Sequence, residues 1–149
     1  MPGSFRTFEM SEERPQFNWS DAWLLLAVAV ACQRGAANLE NIIVAGDGIN
    51  FAIFKADELE SGLVRLTEAG YIEETAGSFS LTGKVHPYCD TFLAEHRSMD
   101  KRLADVEALI GAASAPDDQP CLNNLKYPGF SKKQYDEAVL SYQGYLREF

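Results

Sequence analysis

Between Asn50 and Val85 the spacing of apolar residues changes period, and that change limits the folds open to the chain. Leu59, Leu63 and Leu66 recur at helical spacing and form one stripe. Gly70 follows, where a left-handed C-terminal cap favours glycine, with Tyr71 placed for a hydrophobic cap contact. Residues 71–75 and 79–82 then flank Ala76-Gly77-Ser78, a short glycine-containing turn suited to a hairpin. Ile72, Phe79 and Leu81 supply its apolar side, and Thr82 can cap the next helix through its hydroxyl. Ahead of the stripe, Phe51 to Phe54 reads as a short apolar strand. The order is strand, helix, hairpin.

Upstream, Trp23 to Cys32 is wholly apolar. Such a run is about half of what a bilayer crossing needs. Its Ala29-Val30-Ala31-Cys32 ending resembles a lipoprotein cleavage site, but Glu9, Glu12, Glu13 and Asp21 precede it where a secretory signal is basic. The run therefore reads as a buried first helix, from Ser20 as N-cap to Arg34, with Gly35 as the stop. A second helix begins at Asn38, turns Leu39, Ile42, Ile43 and Gly46 inward, and ends at Asp47-Gly48.

Downstream, Pro87 to Ile110 reads as one long helix. Cys89, Phe92, His96, Met99, Leu103, Val106 and Ile110 alternate steps of three and four, a heptad seam. Two partners could cover it: the first helix of the same chain, or a second copy. Closed twofold dimers are the commonest oligomers, so the seam from Phe92 through His96, Met99, Leu103 and Val106 to Ile110 is expected to join a homodimer. His96 would fix its register and make the dimer weakly pH-sensitive. Residues 112–130 form a linker and an irregular segment. Ser131 and Gln134 open a last helix, residues 131–149, carrying Tyr135, Val139, Tyr142, Leu146 and Phe149. Residues 1–19 make an aromatic arm with Phe5, Phe8, Phe17 and Trp19, which packs on its own domain or on a dimer partner. The C-terminal aromatics Tyr127, Phe130, Tyr135 and Tyr142 are expected to cover the core rather than line a ligand pocket.

The expected architecture is mainly α with a small β-hairpin, in a chain of 149 residues that can bury one sizeable core. Over residues 20–111 it resembles a winged helix-turn-helix domain, and the motif ELESGLVRLTEAGYIE followed by FSLTGKV carries the resemblance. The arrangement is similar to that of the MarR and PadR groups of bacterial regulators. The resemblance implies that the third helix and the hairpin wing form the working surface, that the third helix enters the DNA major groove, and that the long helix dimerises.

The charge departs from that pattern. From Ala36 to Val85 eight acidic residues face three basic ones, a net of −5 within a chain of −9. The third helix is expected to expose Asp57, Glu58, Glu60, Ser61, Val64, Arg65 and Glu68, and the wing adds Glu73 and Glu74. DNA affinity comes mainly from Lys and Arg on phosphate. Two readings follow. In the first, a transcription regulator touches DNA through Asn50, Lys55, Ser61, Arg65 and Lys84. In the second, the domain is a protein-interaction module whose acidic third helix meets a basic partner rather than DNA. Catalysis is not expected. His86 and His96 are the only histidines, and with Cys89 they fall short of a zinc ligand set. The turn from Gly46 to Asn50 lacks the strand and glycine pattern of a phosphate cradle. Neither metal nor cofactor is expected. Three scattered cysteines read as buried free thiols of a cytoplasmic protein with no membrane partner.

Overall fold

The computed structural model describes residues 16–94, 97–112 and 121–147. The chain is mainly helical with one small antiparallel sheet. In order come α1 (Trp19–Ala31), α2 (Leu39–Asn50), α3 (Ala56–Glu68), β1 (Ile72–Thr75), β2 (Ser78–Leu81), α4 (Cys89–Phe92), α5 (Met99–Ile110) and α6 (Lys132–Arg147). Short 3-10 turns, Cys32–Arg34 and His86–Tyr88, extend α1 and lead into α4.

The apolar run makes α1 the central helix, as its composition demands. Every residue from Ala22 to Ala29 is at most 3 % exposed. Helices α2, α3 and α5 all pack on it. Its cap is Asn18 rather than Ser20: the Asp21 carboxylate turns back to accept from the Asn18 backbone N–H at 2.8 Å. Of the aromatic arm, Phe17 and Trp19 are described, and both pack on this chain. Phe17 is buried, bridges Ala112 and tilts against Tyr71 at 5.8 Å, while Trp19 lies 5.9 Å from Trp23. Phe5 and Phe8 lie outside the described residues.

Asn38 caps α2 by accepting from the Asn41 N–H at 2.8 Å. The helix does not stop at Asp47-Gly48. It runs through Gly48 to Asn50, which brings Ile49 into the core, and ends on Phe51 in a left-handed conformation, φ +55°. Gly46 is required where it stands, because a Cβ there would sit 2.3 Å from the Phe54 ring. That ring stacks on Trp23 at 3.8 Å, and the Trp23 indole donates to the Gly46 carbonyl at 2.9 Å. The same anchoring explains why the strand expected over Phe51–Phe54 does not form. Phe54 is drawn into the core, and its carbonyl accepts from the Tyr135 hydroxyl at 2.6 Å instead of pairing in a sheet.

The expected hairpin forms, but its turn is Ala76-Gly77 alone: Ser78 joins the second strand opposite Thr75, and Ile72 lies opposite Leu81. Ala76 and Gly77 both have positive φ, +53° and +85°, the two-residue turn that matches strand twist. Ile72, Phe79 and Leu81 point into the core. A third edge comes from before α2: Ala37 and Phe79 exchange both backbone hydrogen bonds, at 2.9 and 2.7 Å. Thr82 does not cap a helix. Its hydroxyl donates to the Gly70 carbonyl at 2.5 Å and ties the end of the wing to the end of α3.

The single long helix from Pro87 to Ile110 is not formed. Helix α4 ends at Phe92, and α5 begins anew at Met99, with the Ser98 hydroxyl accepting from the Lys101 N–H at 3.2 Å. Starting again lets α5 lie along α1 and bury Leu103, Val106 and Ile110 there, while Phe92 enters the same core from α4. The buried part of the seam, Phe92, Leu103, Val106 and Ile110, therefore packs within its own chain, with α5 lying against α1. Met99, at 36 % exposure, lies at its margin, and His96 lies outside the described residues. Among the described residues no helix is long and apolar enough to cross a membrane.

Candidate nucleic-acid interface

Helix α3 owes its position to two faces. Leu59, Leu63 and Leu66 are fully buried on one. On the α1 side Gly62 allows close approach, since a Cβ there would meet Leu24 at 2.7 Å and the Asp21 carboxylate at 2.9 Å. The face expected to be free is covered by the chain itself. Residues 121–127 lie along it as a strap without regular structure. Ser61, wholly buried, accepts the Leu125 N–H at 3.0 Å, and Glu60 accepts the Tyr127 N–H at 2.8 Å.

Arg65 is the centre of this arrangement. Its Nε and Nη2 clasp the Asp21 carboxylate at 2.7 and 3.1 Å. Nη1 donates to the Leu122 carbonyl at 2.7 Å, and Nη2 also reaches the Asn123 amide oxygen at 3.1 Å. The Asp21 side chain is 0 % exposed and that of Arg65 only 10 %. Asn18 joins the same cluster. Its amide donates to the Cys121 carbonyl at 3.3 Å and the Asn123 amide oxygen at 3.2 Å, while its own oxygen accepts the Cys121 N–H. One guanidinium thus links α1, α3 and the strap.

The five expected DNA contacts do not converge. Ser61 and Arg65 are spent inside the molecule. Lys84 donates to the Ala69 carbonyl at 2.9 Å and lies over the Tyr71 ring at 4.7 Å. Lys55 is exposed at the N-terminus of α3, where its backbone N–H donates to Glu58 at 2.8 Å. Asn50 ends α2 and lines a cleft with Trp19, Trp23 and Glu58. Of the surface expected on α3, Val64 is also buried, Glu58 and Glu60 are half-buried, and only Asp57 and Glu68 stay exposed. The residues that organise this face and were not foreseen are Asn18, Asp21, Asn123 and Tyr127. Each reaches a partner dozens of residues away in the chain, and no periodicity marks such pairs.

Cys32, His86 and Cys89 line a separate cleft beside Leu81 and Leu93. All three cysteines are half-buried rather than fully enclosed, and Cys32 and Cys89 are free thiols. Burial pushes the Cys32 and Cys89 thiols above their ordinary range, which keeps them protonated and weakly nucleophilic at neutral pH. Among the described residues no group of three or more His, Cys, Asp or Glu side chains is gathered to hold a metal. No protein-family model, curated protein or solved structure matches the chain.

Proposed function

We propose that this chain is a non-enzymatic binding module of winged-helix type whose third helix does not read DNA, and that its partner is a protein with a basic face. The order of helices, with the Ala37 edge beside a two-stranded wing, supports the winged-helix reading. The observation that carries the functional reading is the strap over α3, held by the Arg65–Asp21 clasp. A helix whose polar side chains already bind its own chain has little left for base edges. The exposed acids Asp57, Glu68, Glu73 and Glu74 repel phosphate and attract Lys and Arg. The free thiols of Cys32 and Cys89 fit a reducing cytoplasm.

Fluorescence anisotropy with a mixed pool of DNA duplexes at low salt tests this reading. No binding is expected at micromolar protein. Binding that weakens steeply with salt, and falls with Lys55→Ala and Lys84→Ala, would overturn it in favour of a DNA-reading regulator.

A further inference from the structure

A cleft of about 260 Å³ opens between the wing, the start of α2 and the start of α6. Its apolar walls are Phe79, Tyr127 and Phe130, and its carboxylates are Glu40, Glu74 and Glu137. The three acids come from three different elements, α2, β1 and α6. No lysine, arginine or histidine lines the cleft.

The acids are not equivalent. Glu74 is committed to the fold: it accepts from the Gly77 N–H at 3.0 Å and from the Tyr127 hydroxyl at 2.9 Å. It thereby fixes the Tyr127 ring, which lies 6.0 Å from Phe79 in a tilted pair. The Glu40 and Glu137 side chains make no hydrogen bond or ion pair among the described residues. Both helices that begin here have their first turns capped from within, by Asn38 on α2 and by the Ser131 hydroxyl accepting from Gln134 at 3.1 Å on α6. Their N-termini therefore offer an anion little, and the facing acids repel it.

We propose that this cleft binds an alkylammonium group, the cationic end of a short aliphatic amine. Aromatic faces attract a cation through their quadrupole, and their apolar surface takes the methylene chain. The carboxylates supply the counter-charge. A metal ion is disfavoured because the acids are interleaved with rings rather than gathered as ligands. The volume lies below the usual range for drug-sized ligands, which suits a short chain. This inference does not depend on the winged-helix reading, since a free amine needs no protein partner.

The test is a titration of the intact chain followed by amide NMR, with 1,4-diaminobutane as the free source of the group and a lysine-rich peptide as the protein-borne source. Saturable shifts confined to Glu40, Glu74, Gly77, Gly129 and Phe130 are expected, with a dissociation constant of about 1 mM for the diamine. The neutral analogue 1,4-butanediol should leave these amides unmoved. The double variant Glu40→Gln/Glu137→Gln, whose side chains make no hydrogen bond or ion pair among the described residues, should weaken binding about fivefold. Tighter binding of the peptide at the same amides would assign the group to a lysine side chain; tighter binding of the diamine would assign it to a free amine. No saturable shift from either source, an equal response to the diol, or undiminished binding by the double variant would overturn the proposal.

Discussion

Glu58 shows how one side chain at the start of α3 trades charge against burial. Desolvation pushes its carboxyl above the ordinary range, outweighing the Lys55 backbone N–H and charge that hold it down, and nearby Asp57 and Asp21 push it further. A raised carboxyl favours the fold in its protonated form. Its contribution is fully present below the unfolded value and is lost as pH rises through the raised folded value. At neutral pH the ionised group is therefore a burden. Glu58→Gln keeps the shape and an acceptor for the Lys55 N–H, so thermal unfolding should show it more stable than the parent near pH 7, with the gap closing toward about pH 4. A less stable Gln variant at neutral pH would mean that the charge at the helix N-terminus outweighs burial. Ala76 offers a second test at this scale. Its φ of +53° is one an L side chain rarely adopts. Ala76→Gly should stabilise the chain by about 0.4–1 kcal/mol in urea unfolding, and no gain would show the turn to be unstrained.

At the scale of elements, what the sequence announced was periodicity and punctuation. The stripe Leu59, Leu63, Leu66, the Gly70 cap and the hairpin form because neighbours in the chain decide them, although the turn is one residue shorter than read, with Ser78 in the second strand. The strand at Phe51–Phe54 was misread because apolar character has two explanations: Phe54 is apolar to stack on Trp23, not to pair in a sheet. The seam was legible as a buried stripe but not as one helix, since the alternation of three and four survives a restart at Ser98. Its partner was not legible, because a stripe states that it must be covered and not by what. The candidate site was least legible. Ser61 and Arg65 look like surface polar residues until residues 121–127 are laid over them, and the backbone N–H and C=O groups they hold have no side-chain signature. By contrast Tyr135 and Tyr142 do close the molecule as aromatic composition suggested. Tyr142 reaches the Asp47 carboxylate at 2.7 Å and so pins α6 to α2.

The described residues form one core around α1, and this bears on assembly. Ile110 is 6 % exposed and packs inside the chain. Ile110→Ala should lower the unfolding free energy by about 2–4 kcal/mol, with a midpoint independent of protein concentration. A midpoint that rises with concentration would restore the seam to a dimer interface. Arg65 distinguishes a module closed on itself from a DNA reader. If the guanidinium is a clasp, removing it leaves the buried Asp21 charge without its partner and frees the strap from α3. If instead it is a DNA contact, removing it should leave the fold alone. Urea unfolding of Arg65→Ala is the measurement to make. A loss of about 3–5 kcal/mol is predicted. Stability within about 0.5 kcal/mol of the parent, the usual range for a surface substitution, would show that the guanidinium is no clasp.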